Sequence, residues 1–486
     1  MGPTLAKSDV PLCVDLDGTL VRTDLLWETL LLLIKQRPWA IFLLPIWLTH
    51  GRAYLKRQIA SRVRFNVASL PYRREVLEWL RSEKAAGRRL VLATASDELL
   101  ARAVAAHLGF FSEVIASTGS LNAKGGNKLA VLEERYTEGF DYAGDSSADR
   151  PIWNRARRAI AMDAPAQIVN ELRSNGKLER SFVSRSNPWK LWAKALRWHQ
   201  WSKNALILLP VITSHRVLNP SALYHSGVMF LAFCCCASAL YLVNDLLDLT
   251  SDRLHPEKCE RPFASGQLPI AAGLLVAPVL LAISFAIASP LGRAAEAILL
   301  CYACISLSYS LWLKSRAPLD VFLLSGLYTI RILAGGVATG IWLSGWLLSF
   351  SVFLFLSLAF TKRLAELRLL RNLRQDQTNG RGYLAADFEL VTAFAVSAGF
   401  ISALVLTLYV NSDQVRLLYR QPLYLWLLFP LLLYWLCKLW MLAFRGDLHE
   451  DPVLYAIRAP STYAVGFVSL VLLVIAKFDL PAKLLR

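Results

Sequence analysis

The sequence predicts a two-domain protein, in which an N-terminal α/β domain precedes an all-α domain that crosses a membrane about nine times. Two observations lead to this prediction. The composition changes near residues 180–200, from a charged chain with short apolar runs to a series of long apolar stretches. Within the first part, several strand-like apolar runs end in polar residues, which is typical of an α/β sheet with a site at its edge.

The overall balance of charge narrows the choice of partners. The chain is 55% hydrophobic and carries a formal net charge of +17. A basic protein can bind nucleic acid, an anionic membrane surface or phosphorylated substrates. The chain has no Lys/Arg-rich tail typical of a nucleic-acid arm, and its apolar stretches favour the other two partners, so we expect no nucleic-acid partner.

Nine apolar stretches in the second part are candidate membrane helices. A bilayer core needs about 20 apolar residues per helix, and helices this long satisfy their own backbone polar groups in lipid. The stretches are residues 204–214 (a short one), 222–246, 269–289, 294–313, 318–340, 342–361, 389–411, 422–444 and 461–477.

The distribution of basic residues predicts the orientation of these spans. The N-terminal residues lack the apolar core of a signal peptide, so we expect the first domain to stay in the cytoplasm. With that start, one set of loops is rich in Lys and Arg, and the opposite loops hold only Arg216, Arg293, Arg416 and Arg420. This asymmetry predicts a multi-pass protein of the cell inner or plasma membrane with its active sites facing the cytoplasm.

A Trp-rich segment precedes the first span. Trp189, Trp192, Trp198 and Trp201 alternate with basic residues that include Lys203, a pattern typical of an amphipathic helix in the headgroup region. The alternative is an ordinary linker helix. We therefore divide the chain into an α/β domain (residues 1–178), an interfacial linker (179–203) and a transmembrane domain (204–486).

The segment "NDLLDLTSDRLHPEKCERPFASG", residues 244–266, ends the first long span with polar residues. Asn244, Asp248 and Asp252 are spaced i, i+4 and i+8, so on a helix they share one face, and Asp245 lies about 100° away. Such a ladder of oxygen ligands suits Mg²⁺, which shares its coordination shell with substrate phosphates. The alternative is a solvated helix end, but carboxylates stepping into a span favour a functional site.

A basic loop follows the ladder directly. Lys258 and Arg261 are placed to bind phosphate oxygens. Carboxylates followed by cations at a membrane surface predict a diphosphate site.

These residues resemble the first signature of the UbiA superfamily of intramembrane prenyltransferases, N-D-x-x-D-x-x-x-D followed by a basic R-P loop. The resemblance covers about residues 195–486. It implies a helical bundle around a cavity open to lipid, with a diphosphate bound by one or more Mg²⁺ ions at the cytoplasmic mouth. Asp248 and Asp252 would then be catalytic residues, and Asn244 would join them as a metal ligand.

A second aspartate motif, which branches that prenylate aromatic rings carry, is absent. The corresponding loop "TKRLAELRLLRNLRQDQTNGRGY" has no D-x-x-x-D pair and offers Lys362, Arg363 and Glu366 instead. The elements "QWSKN", "YSLWLK", "RILAGG" and "KRLAEL" resemble the decaprenyl-phosphate phosphoribosyltransferases of this superfamily. Those enzymes transfer phosphoribose from its diphosphate onto a polyprenyl phosphate.

The resemblance implies a set of substrate- and phosphate-binding residues. Lys314, Lys362 and Arg363 would bind either the ribose phosphate or the lipid phosphate. Arg331 lies within a span and needs an acidic partner or a bound phosphate. Asp320 is either a ribose contact or that internal partner. The full set is Lys203, Asn204, Asn244, Asp245, Lys258, Arg261, Lys314, Asp320, Arg331, Lys362, Arg363 and Glu366.

Four elements in the first domain occur in a recognisable order: "PLCVDLDGTLV", "RRLVLATAS", "GGNKLAVL" and "FDYAGDSSAD". In an alternating α/β sheet the ends of the strands converge at one edge. Together the elements resemble the haloacid dehalogenase (HAD) phosphatases across about residues 10–175.

This second resemblance implies a role for each polar residue. Asp15 matches the nucleophile that forms an aspartyl-phosphate, and Asp17 matches the general acid/base. Thr94 and Lys128 match the phosphate-binding residues. The ligands of one Mg²⁺ ion would be Asp15, Asp17, Asp145 and Asp149. The alternative is a degenerate domain that is kept for its structure.

The insert between Asp17 and about Ala85 would form a helical cap over this site. Its apolar runs are short and broken by Lys35, Arg37, Pro38 and Pro45. We therefore expect cap helices that touch the membrane surface rather than a span.

The two resemblances predict a bifunctional enzyme. The membrane domain would transfer phosphoribose from phosphoribosyl diphosphate to a polyprenyl phosphate, and the HAD domain would remove the ribose phosphate of the product. Two alternatives stay open: a prenyltransferase acting on an allylic diphosphate with an aromatic or other acceptor, and a non-catalytic membrane scaffold or transporter.

Overall fold

The computed structural model describes residues 10–119, 123–184, 187–372, 382–448, 452, 455 and 459–478. Chain contacts divide the protein into two compact units. The first unit comprises Met1–Leu196 and Tyr241–Ala277, and the second comprises Arg197–Leu240 and Pro278–Arg486. The aspartate-bearing segment thus belongs to the same unit as the α/β domain, and the domain boundaries at residues 178 and 203 stay predictions.

A parallel six-stranded sheet forms the centre of the α/β domain, with the strand order β3-β2-β1-β4-β5-β6. Its four inner strands are buried and mostly apolar, and their polar residues occur at the end of β2 and at the start of β4. The chain reverses direction across the sheet between β1 and β4, which is where parallel α/β folds place their ligands. The strands are β1 (Leu12–Val14), β2 (Leu90–Asp97), β3 (Glu113–Ser117), β4 (Asp141–Gly144), β5 (Ala159–Met162) and β6 (Leu178–Phe182).

Helices cover both faces of this sheet because alternate residues of each strand point to opposite sides. Two helices pack with Leu12 and Val14 on one face, and three pack with Cys13 on the other. The first pair is α4 (Arg74–Ala85) and α5 (Glu98–Leu108); the others are α6 (Gly126–Arg135), α7 (Arg150–Arg155) and α8 (Ala166–Ser174).

The cap consists of α1 (Leu25–Gln36), a 3₁₀ turn (Pro38–Leu43), α2 (Leu44–Thr49) and α3 (Arg52–Ala60). It has a small core of its own, formed by Leu33, Ala40, Trp47 and Ile59. The predicted insert extended to about Ala85, but α4 packs against the sheet, so the cap ends before it. The apolar run Pro38–Thr49 is too short to span a bilayer, as predicted.

Eight helices of the described chain are long and apolar enough to cross a membrane, and they confirm a polytopic helical domain. They are Pro220–Leu247, Ile270–Leu291, Arg293–Leu311, Leu319–Thr339, Gly345–Asn372, Ala385–Val410, Pro422–Arg445 and Pro460–Phe478. The first of the nine predicted spans, residues 204–214, instead forms the end of a 3₁₀ helix (Trp198–Leu208) and a five-residue α-helix (Leu209–Thr213), which are too short for a bilayer.

The α-helices are numbered in chain order after α8. They are α9 (Pro188–Leu196), α10 (Leu209–Thr213), α11 (Pro220–Leu247), α12 (Leu249–Leu254), α13 (Ile270–Ala288), α14 (Arg293–Leu311), α15 (Leu319–Thr339), α16 (Gly345–Asn372), α17 (Phe388–Val410), α18 (Asp413–Leu418), α19 (Leu428–Arg445) and α20 (Pro460–Phe478). Residues 373–381, in the loop that lacks a second aspartate motif, lie outside the described residues.

The segment predicted as an interfacial linker has two parts. Its first residues continue β6 to Phe182 and pair with β5, so they belong to the sheet. The rest includes α9, on which Trp189 is 84% exposed, while Trp192 contacts the ring of Phe263 edge-on. An exposed Trp on a basic amphipathic helix suits the headgroup region of a bilayer, and the interfacial position of this segment stays a prediction.

The glycines of the "RILAGG" element have a packing role. A Cβ atom at Gly335 would overlap the carbonyl group of Ile207, and one at Gly336 would lie 2.8 Å from Leu343. The absence of a side chain at Gly335 therefore lets the 3₁₀ helix Trp198–Leu208 approach α15 closely. This contact positions the residues next to Ile207, including Asn204, against α15.

Candidate functional site

The loop after β1 carries the predicted phosphatase nucleophile. Asp15 is buried; its Oδ2 accepts a hydrogen bond from Lys128 Nζ at 2.9 Å, and its Oδ1 accepts one from the backbone N–H of Leu16 at 2.8 Å. Burial raises the pKa of Asp15, and the Lys128 ammonium opposes that rise. Lys128 thus holds the carboxylate in one orientation, with a cation beside it for an incoming phosphate.

The second aspartate of the motif lies at the start of the cap. Asp17 Oδ1 accepts a hydrogen bond from the backbone N–H of Leu25 at 2.9 Å, and its Oδ2 accepts one from Ser96 Oγ at 2.5 Å. Burial, reinforced by the charge of Asp24, raises the pKa of Asp17 to about 7. A carboxyl group with that pKa can both give and take a proton near neutral pH.

A hydrogen-bonded chain supports the loop after β4. Lys128 Nζ donates to Tyr142 Oη at 2.8 Å, and Tyr142 donates to Asp149 Oδ1 at 2.9 Å. Asp149 Oδ2 accepts hydrogen bonds from the backbone N–H groups of Asp145 and Ser146. Asp149 therefore fixes the conformation of the loop that presents Asp145.

Three carboxylates converge between β1 and β4. Oxygen atoms of Asp15, Asp145 and Asp149 all lie within 4.8 Å of one another. Gly18 is required beside them, because a Cβ atom there would overlap the Asp145 carboxylate. A cluster of carboxylate oxygens fits Mg²⁺. Asp17 is not part of this cluster among the described residues; its carboxylate binds Leu25 and Ser96 instead.

The remaining predicted phosphate binder, Thr94, lies within β2 and is fully buried. Its Oγ1 accepts a hydrogen bond from the backbone N–H of Ser96 at 3.0 Å. This bond helps to orient the end of β2, from which Ser96 donates to Asp17.

Binding of Mg²⁺ to the HAD site should strengthen as the pH rises from 6 to 8. Burial, together with the charge of Asp15, raises the pKa of Asp145 to about 7, so below pH 7 protons compete with the metal. The stability of the metal-free protein has the opposite pH dependence. The raised pKa of Asp145 makes the fold more stable at low pH, and this stabilisation is lost as the pH rises through 7. Calorimetric titration with Mg²⁺ should show about tenfold tighter binding per pH unit below 7.

Asp145→Asn provides the control for that titration. This variant should lose the pH-dependent component and leave Mg²⁺ binding elsewhere in the chain unchanged. Equal affinity of the unmodified protein at pH 6 and pH 8 would contradict the assignment.

The predicted ladder in the membrane domain spans a short break between two helices. α11 ends at Leu247 and α12 begins at Leu249, with Asp248 between them. The backbone N–H of Asp248 donates to the Asn244 carbonyl at 3.0 Å, and that of Asp252 donates to the Asp248 carbonyl at 2.8 Å. These bonds preserve the i, i+4, i+8 spacing through the break.

The side chains of this segment are nevertheless divided into two groups. Arg261 donates from the same terminal nitrogen to Asp245 at 3.1 Å and to Asp252 at 2.6 Å, and both carboxylates are buried. Asn244 and Asp248 are half-buried. Arg261, predicted to bind phosphate, therefore joins two of the carboxylates here, whereas Lys258 lies half-buried at the start of a 3₁₀ helix.

The cap contacts this segment through two ion pairs that the sequence analysis did not predict. Arg253 donates to both carboxylate oxygens of Glu28, at 2.5 and 3.2 Å, and both side chains are buried. Lys35 Nζ donates to the Leu247 carbonyl at 2.9 Å and lies 3.7 Å from Asp248 Oδ1. Helix α1 thus contacts the segment that bears the ladder at two points, through Glu28 and through Lys35.

Replacing Glu28 with Ala should destabilise the protein by about 3–5 kcal/mol, because it leaves the Arg253 charge buried without this partner. The double variant Glu28→Ala, Arg253→Met should recover part of that loss. Thermal unfolding of detergent-solubilised protein would measure both effects.

The matched control for that measurement is Glu98→Ala, which breaks the exposed pair with Arg102. A surface pair contributes about 0–1 kcal/mol, so this variant should unfold close to the unmodified protein. If Glu28→Ala unfolds at the same temperature as Glu98→Ala, the buried pair does not hold the cap in place.

In the second unit, Arg331 lies in a buried cluster with Asn204 and Tyr302. Its Nε donates to Asn204 Oδ1 at 2.8 Å, and a terminal nitrogen donates to Tyr302 Oη at 2.9 Å; another binds the Leu327 carbonyl. Lys203 Nζ lies 5.6 Å from the centre of the Tyr328 ring, on which Arg331 also packs. The structure therefore brings together Lys203, Asn204 and Arg331, three of the predicted residues.

A second buried cluster forms around Asp320. Its two oxygens accept hydrogen bonds from Arg363 Nε and from Tyr383 Oη, both at 2.7 Å. Arg363 also donates to Glu366 at 2.6 Å and to Tyr309 Oη at 3.3 Å. Asp320 was predicted to be either a ribose contact or the internal partner of Arg331. In the structure Asp320 has an internal partner, but that partner is Arg363.

Two further lysines of the predicted set lie in helical segments of the membrane domain. Lys314 is half-buried in the 3₁₀ helix Leu313–Ser315, and Lys362 is half-buried in α16 beside Arg363. Both stay candidates for a phosphate contact.

Several residues of these sites were not predicted. Ser96, Tyr142, Arg253 and Tyr383 lie within the quoted segments, but nothing in those patterns marks them as site residues. Their partners are distant in the sequence: Tyr383 is 63 positions from Asp320, and Glu28 is 225 positions from Arg253. The unpredicted residues are Glu28, Lys35, Ser96, Tyr142, Arg253, Tyr302 and Tyr383.

The fold and these sites define a multi-pass membrane protein that carries a phosphatase-like α/β domain at its N-terminus. The UbiA prenyltransferase family model matches residues 210–471, and the haloacid dehalogenase-like hydrolase model matches residues 12–153. The chain therefore belongs to the UbiA prenyltransferase family and has an N-terminal HAD-like domain, which confirms both resemblances.

Three relatives show how far the similarity extends. "Uncharacterized protein y4nM" of Sinorhizobium fredii is 36% identical over 460 residues, which cover 94% of this chain and 89% of that protein. "Nodulation protein NoeC" of Azorhizobium caulinodans is 36% identical over 57% of this chain and 89% of its own length. The "decaprenyl-phosphate phosphoribosyltransferase" of Corynebacterium glutamicum is 38% identical over 180 residues, 36% of this chain and 54% of that enzyme. The match thus covers about half of the length of that enzyme.

Proposed function

We propose that the membrane domain is a Mg²⁺-dependent transferase that moves phosphoribose from phosphoribosyl diphosphate to a polyprenyl phosphate, and that the HAD domain removes the ribose phosphate from the product. The observation that carries the proposal is the polar pattern of the membrane domain. Residues 244–252 carry a ladder of oxygen ligands, the segment in which a second aspartate motif would be expected has no D-x-x-x-D pair, and Arg331 lies buried against Asn204 and Tyr302. The similarity to the Corynebacterium glutamicum enzyme supports this choice of substrates.

In the transfer step, an oxygen of the lipid phosphate forms a bond to the anomeric carbon of the ribose, and the bond from that carbon to the diphosphate breaks. Asn244, Asp248 and Asp252, the last of which Arg261 binds in this structure, would hold Mg²⁺, which would neutralise charge on the leaving diphosphate. The lipid phosphate is already ionised at neutral pH, so the step needs no strong general base.

The cationic residues of the membrane domain fall into two groups, those that would bind substrate phosphates and one that stabilises the fold. Arg363 lies between Asp320 and Glu366, which compensate its charge, so we assign it a structural role. Arg331, with Lys314 and Lys362, would neutralise phosphate oxygens of the two anionic substrates. Asn204 and Tyr302 would orient the Arg331 guanidinium for that contact.

In the hydrolytic step, a carboxylate oxygen of Asp15 forms a bond to the phosphorus atom, and the bond from phosphorus to the ribose oxygen breaks. Asp17 would protonate that oxygen and then remove a proton from the water that hydrolyses the aspartyl-phosphate. Lys128 would hold a phosphate oxygen beside Asp15. The proximity of two consecutive activities on one chain raises the effective concentration of the intermediate.

The test is an assay in membrane vesicles that contain the full chain, Mg²⁺ and a polyprenyl phosphate. Phosphoribosyl diphosphate labelled in the ribose should transfer its label to the lipid fraction, and removal of Mg²⁺ by a chelator should stop the transfer. Consumption of an allylic diphosphate without ribose transfer would support a prenyltransferase instead. Binding of either substrate without turnover would support a scaffold.

A further inference from the structure

The cap exposes an apolar surface that the catalytic proposal does not use. We call it the cap patch, and it consists of five large apolar side chains on α2 and the preceding 3₁₀ turn. Their exposed fractions are 58% for Trp39, 43% for Ile41, 79% for Phe42, 55% for Ile46 and 52% for Leu48. Contiguous exposed apolar surface on an ordered element marks an interaction site.

The opposite side of the same segment is packed and ordered. Ala40 and Trp47 are buried against Leu33 and Ile59 in the core of the cap. The segment is therefore amphipathic, and its apolar outer side is a stable feature of the folded cap. Such a segment lies flat against a surface rather than crossing a bilayer.

The position of the cap patch identifies the surface. Lys35 Nζ donates to the carbonyl of Leu247, the last residue of the candidate span Pro220–Leu247. Pro38, at the start of the patch segment, follows Lys35 by three positions, a reach of about 10 Å. The patch segment thus begins close to the end of the candidate span Pro220–Leu247, where that helix would leave the lipid.

The charges around the cap patch favour the same partner. Lys35, Arg37 and Arg52 are exposed beside it, and the chain has no Asp or Glu between residues 35 and 58. Exposed apolar side chains with basic residues on both flanks suit the acyl–headgroup boundary of a bilayer with anionic lipids.

We propose that the cap patch inserts into the interface of the bilayer and holds the mouth of the HAD site at the membrane surface. Helix α1 connects the HAD site to the cap patch. The backbone N–H of Leu25, the first residue of α1, donates to Asp17, and the patch segment follows the last turn of the helix. The preferred substrate of the HAD site would then be a phosphate ester carried by a membrane lipid. This last assignment rests on the proposed function, whereas the membrane contact does not.

The membrane contact can be tested directly on the full-length protein in liposomes of phosphatidylcholine and phosphatidylglycerol. A benzophenone amino acid at position 42 should form lipid adducts on irradiation. The same probe at Leu99, which is 42% exposed on α5 of the same domain, is the control and should form few. Equal lipid labelling at both positions, or adducts between two copies of the chain at position 42, would overturn the proposal.

The effect on substrate choice needs a second experiment. The double variant Phe42→Asp, Ile46→Asp should hydrolyse a lipid-linked ribose phosphate about tenfold more slowly, since polar side chains oppose insertion of the patch. Hydrolysis of the soluble ester p-nitrophenyl phosphate and the labelling of lipid by ribose should be unchanged, and Leu99→Asp should affect neither substrate.

The outcomes separate the two proposals. An equal loss with both phosphate esters would show that the patch only stabilises the cap and would overturn its proposed role. If the unmodified protein transfers no ribose but position 42 still labels lipid, the membrane contact stands and the proposed transferase reaction fails.

Discussion

Asp248→Asn should reduce the transfer of phosphoribose to lipid by at least about 10³-fold, because the loss of a charged metal ligand removes several kcal/mol of stabilisation of the leaving diphosphate. Asp248 is half-buried at the break between α11 and α12, and Lys35 of the cap lies 3.7 Å from its carboxylate. The amide keeps the shape of the side chain, so the loss would report the charge rather than the packing. Incorporation of labelled ribose into the lipid fraction measures the effect.

Two comparisons make this result specific. Asp413→Asn changes an exposed carboxylate of the membrane domain and should leave the transfer unaltered. Hydrolysis of a soluble phosphate ester should continue in Asp248→Asn, because Asp15 and its partners are unchanged. Transfer activity within tenfold of the unmodified protein would remove Asp248 from the proposed diphosphate site.

Asp15→Asn should abolish removal of the ribose phosphate, with a loss of at least about 10⁴-fold, since loss of a covalent nucleophile leaves only binding and electrostatic contributions. Transfer should continue, so the lipid product should accumulate with an additional phosphate group. Lys128 would keep its contact with Tyr142 in this variant, which favours an intact fold. Mass spectrometry of the extracted lipid distinguishes the two products.

The control for the second variant is Glu134→Gln, an exposed change on α6, the helix that carries Lys128. It should leave both products as in the unmodified protein. If the lipid is still fully dephosphorylated when Asp15 is Asn, the HAD domain does not act on the product of the membrane domain.

Helix α1 of the cap links the two regions of the protein that these variants change. Asp17 binds the first residue of α1, and Asp248 lies near Lys35 at the other end of the same helix. The helix therefore contacts one residue of each predicted site within a single compact unit. Glu28 and Arg253 hold it in place through a buried ion pair.

Short-range patterns in the sequence were sufficient to predict the fold class. Strand–loop elements around Asp15, Thr94 and Asp145 predicted an alternating α/β sheet with a polar edge, because the ends of its strands converge at one edge. Long apolar runs predicted the membrane helices, since each must satisfy its own backbone in lipid. The prediction was wrong for residues 204–214, whose apolar composition was correctly noted but whose length suits a tightly packed 3₁₀ segment.

The sequence by itself therefore determined the two families, the α/β class of the first domain, the membrane helices and the types of residue available for chemistry. Only the tertiary structure decided which carboxylate meets which cation: Arg363 with Asp320, Arg261 with Asp245 and Asp252, and Arg253 with Glu28. The physical reason is the range of the interactions. Hydrophobic periodicity and loop motifs act between residues a few positions apart, whereas ion pairs across 225 positions depend on how whole helices pack.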